Sequence, residues 1–237
     1  MGKPAPTRNF ENRILAVLPP EEYARLKGSF QTLPLRRRTI LNEPRRPVMD
    51  TVYFPRTAVA SMVTKMEDGS TLEIATVGNE GIVGLPVLLG TDTMRMDVFI
   101  QIDGEAVALP ASVIREAVRG KKPLGRFVQR YTQALLSQIA QSAACNQLHP
   151  IDRRCARWLL MSHDRVPGDE LPLTQEFLAQ MLGVRRATVT SAASILQRAG
   201  FVRYRRGRVR IVDREGLEGA SCECYRVIRA EYERLVR

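Results

Sequence analysis

The order of apolar and polar positions changes character twice along the chain, and each texture predicts a different kind of element. Residues 10–26 read as two short helical turns broken at Leu18-Pro19-Pro20-Glu21-Glu22, with Pro opening the second turn and acids inside it. From Phe30 to Leu109 short runs rich in Val, Ile, Thr, Tyr and Phe alternate with turn signals such as Glu67-Asp68-Gly69-Ser70, Val77-Gly78-Asn79 and Asp103-Gly104. The runs at 38–41, 51–54, 58–65, 71–77, 97–102 and 105–109 predict short strands of a β-barrel or jelly roll. After Pro110 the pattern becomes helical. A short helix is predicted over 111–119, and a longer one opens near Pro123, in which Phe127, Tyr131, Leu135 and Ile139 recur every fourth residue beside Leu124 and Val128.

The long helix has a second property. From Thr132 to Ile151 there is no Asp, Glu, Lys or Arg, yet Gln133, Ser137, Gln138, Gln141, Ser142 and Asn146 make the stretch too polar for lipid. A helix that avoids charge all round is covered on several sides, which predicts packing against its own domain and against a second copy. His149-Pro150 ends it, because Pro disfavours the α conformation in the residue before it. The expected class is α+β: an N-terminal β jelly roll with a helical cap over 1–110, a linker and long dimerisation helix over 111–149, and a further domain over 150–237.

That last domain opens with an amphipathic helix carrying Ile151, Cys155, Trp158, Leu159 and Ser162, then a loop over 166–170. The segment from Leu173 to Ala199 is the informative one. Thr174 suits an N-cap, Glu176 a first helical turn, and Phe177, Leu178, Met181 and Leu182 a buried side. Gly183 supplies a tight turn, and a second helix begins near Arg185-Arg186. Small Ala179 at the crossing and Val189 on the second helix complete a helix-turn-helix pattern. The second helix offers Arg185, Arg186, Thr188, Thr190, Ser191 and Ser194, which can bond bases or phosphates. Two short alternating runs around Arg206-Gly207 then predict a β-hairpin wing.

Charge sharpens this picture. The 237 residues hold 36 Lys+Arg against 25 Asp+Glu, a formal net charge of +11. From Arg198 to Arg210 there are six Arg and no acid. The planar guanidinium suits phosphate and guanine edges, so the arginines of the wing, Arg205, Arg206 and Arg208 among them, are expected to hold phosphates beside the second helix. Double-stranded DNA is the expected partner, since its major groove admits a helix and the deep groove of A-form RNA does not.

Other classes are disfavoured. No apolar stretch approaches the roughly 20 residues of a membrane-spanning helix, and none of signal-peptide length follows the first basic residues, so a cytoplasmic protein without membrane contact is expected. No Gly-rich phosphate loop, nucleophile elbow or paired His appears, and no enzyme is expected. Cys145, Cys155, Cys222 and Cys224, with only His149 and His163 beside them, lack the usual zinc spacing and are expected to stay reduced. Cys222-Glu223-Cys224 invites a metal or redox reading. With no other soft ligand apparent nearby, a structural helix is expected there, with no metal and no cofactor.

The β domain, long uncharged helix and winged helix-turn-helix, in that order, resemble the Crp/Fnr family of bacterial transcription regulators. The resemblance is carried by Leu15-Ala-Val-Leu-Pro-Pro-Glu-Glu22, Val52-Tyr-Phe-Pro55, Asp68-Gly69, Val77-Gly-Asn-Glu-Gly-Ile-Val-Gly84 and Leu173 through Gly200. It implies a homodimer on a roughly palindromic operator, with a cyclic-nucleotide-binding-like domain that signals to DNA-reading heads, and RNA polymerase as a further partner if the protein activates. The family's Arg-Glu-x-x-x-Arg reading pattern falls on Arg186, Ala187 and Ser191, so Arg186 is carried over as a base reader and Ser191 as a second candidate. Nucleotide-binding members use Gly-Glu and then Arg-Ser or Arg-Thr. Here Gly84-Leu85-Pro86 and Arg95-Met96 stand instead, which leaves the effector unknown and Arg95 its weak candidate. Iron–sulfur and haem types are disfavoured, because no Cys precedes Cys145 and the β domain has no His. The competing expectation is a metabolite- or anion-binding sensory module without sequence-specific DNA binding.

Overall fold

The computed structural model describes residues 11–44, 49–91, 93–120 and 122–236. Residues 1–10, the start of the expected helical cap, lie outside the described residues. Two short helices, α1 (Arg13–Ala16) and α2 (Pro20–Lys27), form the described part of the cap. Asn12 fastens it: its side-chain oxygen accepts from the Ile14 and Leu15 amides, and its Nδ2 donates to the carbonyls of Pro55 and Gly81.

Seven strands follow: β1 (Gln31–Leu35), β2 (Ile40–Asn42), β3 (Thr51–Pro55), β4 (Val59–Lys65), β5 (Thr71–Val77), β6 (Asp97–Ile102) and β7 (Gly104–Pro110), with a short helix α3 (Leu85–Leu88) between β5 and β6. They pair antiparallel as a three-stranded sheet β1-β7-β3 and a four-stranded sheet β2-β6-β4-β5, and Val52, Phe54, Val59, Ile100 and Leu109 lie in their common core. The sequence predicts six of these strands. It misses β1, whose Pro34 reads as a strand breaker; β1 is an edge strand, where a missing amide costs no ladder bond. The run expected at 38–41 is corrected too: Arg38 sits at φ 71° in a turn, and the strand begins at Ile40.

Helix α4 (Ala111–Val118) leads to α5 (Pro123–Leu148), 26 residues long. One side of α5 buries Leu124, Val128, Tyr131, Ala134, Leu135 and Gln138. Its opposite side leaves Gln133, Leu136, Ala140, Ala143 and Gln147 exposed. His149 is extended at φ −107°, ψ 143°, so the helix stops where Pro150 requires.

The C-terminal part comprises α6 (Ile151–His163), β8 (Glu170–Leu171), α7 (Gln175–Leu182), α8 (Arg186–Arg198), β9 (Val202–Arg205), β10 (Arg208–Ile211), α9 (Arg214–Ala220), α10 (Cys224–Glu233) and a final 3-10 turn at Arg234–Val236. Helix α6, expected to be amphipathic, is buried all round from Arg154 to His163. The loop expected at 166–170 ends in β8, which pairs with β10. The expected boundary at 149/150 is crossed by packing in several places, two of them between whole elements of the two parts. Helix α10 lies along α5, and α7 sits on β5 with Phe177 edge-on to Phe99, ring centroids 6.2 Å apart.

The fold also corrects the isolation of Cys222-Glu223-Cys224. Packing of α10 on α5 brings Cys145 and His149 beside them, with all four ligand atoms within 4.8 Å of one another. They stand 77 residues apart in sequence (Cys145 to Cys222), so no local spacing reveals the cluster.

Candidate nucleic-acid interface

The helix-turn-helix is assembled from local rules. Thr174 caps α7 by accepting from the Phe177 amide at 3.1 Å. Gly183 closes the helix at φ 63°, a left-handed conformation that favours glycine, and its amide and that of Val184 bond back to Gln180 and Ala179. Val189 and Ala192 of α8 and Leu178, Ala179 and Leu182 of α7 are buried where the helices meet. Arg185 is the N-cap of α8, so both Arg185 and Arg186 stand at the helix N-terminus, whose unsatisfied amides favour an anion.

Each side chain expected to touch DNA is exposed: Thr174, Arg185, Arg186, Thr188, Thr190 and Ser191 on the helices, and Arg205, Arg206 and Arg208 on the wing. Arg186 reaches only toward Glu176 at 3.9 Å, a loose pair in which both side chains are more than two-thirds exposed. The hydroxyls are held differently from the arginines. Thr190 donates to Gln175 Oε1 at 2.8 Å, Ser191 to the Ala187 carbonyl and Ser194 to the Thr190 carbonyl. As they stand they present lone pairs outward, and a hydroxyl must rotate off the helix to donate to a phosphate oxygen.

The wing turns at Arg206 (φ 46°) and Gly207 (φ 76°), the two left-handed residues of a hairpin turn that matches strand twist. Its register sets Arg205 opposite Arg208 and Arg203 opposite Arg210, while Val202, Val209 and Ile211 turn inward. Four arginines therefore share one exposed face, an arrangement in which like charges directly opposite repel. Glu170 relieves it little, since its carboxylate stays 3.7 Å from Arg208 and both are exposed. Arg203 and Arg210 belong with the expected wing residues, and the period-two alternation through Arg203-Tyr204-Arg205 already signals it.

Folding brings the two groups together. Thr174, Gln175, Arg186, Tyr204, Arg205 and Arg206 line one shallow cleft between the start of α8 and the tip of the wing. Arg95 lies elsewhere. It is exposed on the bend before β6, which Asn42 pins through the Met94 and Met96 carbonyls.

The back of the helix-turn-helix is tied to the β domain. The Trp158 indole donates to Glu73 Oε1 at 2.6 Å, and Glu73 also accepts from Ser61 and Thr76. Burial pushes the Glu73 carboxyl above its ordinary range despite these donors. At the end of α6, Arg165 pairs with Glu80 through Nε and Nη2 at 2.9 and 2.8 Å, both groups buried.

Residues 153–220 match the family model for a Crp-like helix-turn-helix domain. No curated protein matches the chain. Among solved structures, the chain is similar to FixK2 from Bradyrhizobium japonicum at 17% identity, covering 81% of this chain and 98% of that one with a TM-score of 0.68. It is also similar to a CRP-family transcriptional regulator from Thermus thermophilus (21% identity, 82% and 99% covered, TM-score 0.66). A third is the c-di-GMP-responsive global regulator of Xanthomonas campestris (17% identity, 81% and 98% covered, TM-score 0.59). Among the described residues no helix is long and apolar enough to cross a membrane.

Proposed function

We propose that this chain, which has the fold of the Crp/Fnr transcription regulators and a Crp-like helix-turn-helix domain, binds double-stranded DNA as a homodimer on an inverted-repeat operator. The observation that carries the reading is the cleft between α8 and the wing, where Arg186, Arg205 and Arg206 converge on an exposed surface that favours an anion. Arg186, and with it Ser191, face the groove as base readers. Thr174, Arg185, Thr188, Thr190, Arg205, Arg206 and Arg208 hold phosphates and set register.

The second copy joins along α5. Gln133, Leu136, Ala140, Ala143 and Gln147 repeat at intervals of three and four, carry no charge, and lie exposed, with Leu136 57% exposed. That is the seam of a two-stranded coiled coil, and a two-fold axis along it presents two heads to two half-sites. A signal from the β domain passes through its contact with α6 and α7, where Phe99 of β6 meets Phe177 and Glu73 of β5 holds Trp158. An effector that favours one packing of that contact shifts the population of heads poised for DNA. RNA polymerase is a further partner if the bound dimer activates.

The test is selection from a random DNA library by the purified chain at about 0.15 M salt. An inverted repeat with half-sites about one helical turn apart supports the reading. On that site Arg186→Ala relaxes preference at one base, while Arg206→Ala weakens all sequences alike and lowers the salt slope. Equal losses on every sequence from both changes contradict this division of roles.

A further inference from the structure

The cluster at the junction of α5 and α10 has a use that the DNA-reading surface does not absorb. Cys145 lies in the last turn of α5, and His149, the extended residue that caps the helix, donates its amide to the Cys145 carbonyl at 3.1 Å. Cys222 and Cys224 flank Glu223, the N-cap of α10. The two pairs close around a common point: Cys145 Sγ is 3.5 Å from Cys222 Sγ, and Cys224 Sγ is 3.4 Å from His149 Nδ1. With metal bonds of about 2.3 Å to sulfur and about 2.05 Å to nitrogen, the edges of a tetrahedral zinc site measure about 3.8 Å and about 3.6 Å. These two separations lie within a few tenths of an ångström of those edges, and all four ligand atoms lie within 4.8 Å of one another.

The surroundings fit a loaded site as well. Cys145, Cys222 and Cys224 are almost wholly buried. The other ring nitrogen of His149 lies 3.3 Å from a Glu223 carboxylate oxygen, the partner that orients a metal-binding imidazole and holds its Nδ1 free for the metal. Gln141 donates to Cys224 Sγ at 3.1 Å, a bond that strengthens when the sulfur is a thiolate. Buried Arg154 and Arg157 stand close enough for their charge to act on the cysteines. A divalent ion with three thiolates and a neutral imidazole carries a net charge of −1 by count, and buried cations offset it. A disulfide between Cys145 and Cys222 uses two of these donors and accounts for neither His149 nor Cys224.

We propose that Cys145, His149, Cys222 and Cys224 bind one Zn2+ ion in a closed Cys3His site that fastens the end of the long helix to α10. Loading displaces the protons of the three thiols to solvent and forms three Zn–S bonds and one Zn–N bond, with no change of oxidation state. Four protein ligands leave no open position, so the ion is structural. Because His149 is also the extended residue between α5 and α6, the ion holds the joint at which the C-terminal part leaves the long helix. The site does not depend on the DNA-binding reading.

The experiment is elemental analysis of the untagged full chain, purified under reducing conditions without chelator. The expected result is close to one zinc per chain, and Co2+ taken up in its place shows tetrahedral ligand-field bands with a thiolate charge-transfer band. Cys222→Ser and His149→Ala each lose most of the metal. Cys155→Ala retains it, since that buried thiol, pushed up to about 12 by burial, stands outside the cluster. If the variants fail to fold, the cobalt spectrum of the unaltered chain decides. A chain that isolates without zinc and takes up neither ion overturns the proposal. So do iron with sulfide in its place, a Cys145–Cys222 disulfide under these conditions, or unchanged zinc in both ligand variants.

Discussion

Replacing Arg165 by Met tests how firmly the C-terminal part is docked on the β domain. The guanidinium makes two bonds to Glu80 Oε1, at 2.8 and 2.9 Å, and a third to the Met161 carbonyl, with both charged side chains only 6% exposed. The Gly78 amide also donates to Glu80 Oε1. Arg165 approaches so closely there that a Cβ on Gly78 would stand 2.6 Å from its Cγ. At an effective dielectric constant of about 20, charges about 4 Å apart attract by about 4 kcal/mol. Removing one partner of a buried pair leaves the other charge stranded at a cost of about 3–5 kcal/mol, so Arg165→Met is expected to lose that much. Glu80→Gln loses less, because the amide still accepts from Gly78. The double variant recovers at least about 1 kcal/mol relative to the sum of the two. The assay is urea unfolding followed both by circular dichroism and by fluorescence of Trp158, the single tryptophan, whose indole bonds to Glu73 across the same interface. Single-variant losses below about 1 kcal/mol that simply add would refute the reasoning, because they are what a solvated pair gives.

Three further outcomes follow from the same geometry. Because burial raises the Glu73 carboxyl, the folded chain holds a proton there more tightly than the unfolded chain does, and this contribution to stability is full below the ordinary carboxyl value and lost as pH rises through the raised one; urea midpoints at about pH 4 and about pH 8 should show Glu73→Gln gaining on the wild type at the higher pH, and a pH-independent difference would contradict it. Gly183→Ala forces a left-handed alanine at φ 63° with its Cβ 2.8 Å from Leu72 Cδ1, and is expected to cost roughly 1–2 kcal/mol in thermal unfolding, whereas an unchanged melting temperature would mean the turn is not held in this form. Leu136→Glu places a charge in the proposed α5 seam, where burying each leucine is worth about 1.5–3 kcal/mol, and should convert a dimer to a monomer in light scattering without lowering helicity; a variant that remains dimeric places the second copy elsewhere.

Much of this protein is legible without coordinates wherever a local rule suffices. The Thr174 cap, the Gly183 turn, the Val189 anchor, the Arg206-Gly207 hairpin and the stop before Pro150 each depend on residues within a few positions of one another, and all stand where the pattern predicts. The exposure of the arginines on α8 and the wing follows from helix and strand periodicity alone. β1 escaped because the cost of Pro34 depends on whether the strand is central or at an edge, which no single strand records. The burial of α6 on every side escaped for a related reason. Its amphipathic pattern describes one contact surface, whereas α8, α9 and α10 all pack on it and Trp158 reaches Glu73 of the β domain. The sequence by itself thus determined the helix-turn-helix, its wing and the charge they carry. Only the tertiary structure decided that Thr174, Arg186 and Arg205 share one cleft, that Arg165 finds Glu80, and that Cys145 and His149 meet Cys222 and Cys224. The physical reason is that such meetings depend on how helices and sheets pack, across 77 residues of chain from Cys145 to Cys222 and 85 from Glu73 to Trp158 or Glu80 to Arg165, and their spacing in sequence leaves no periodic trace.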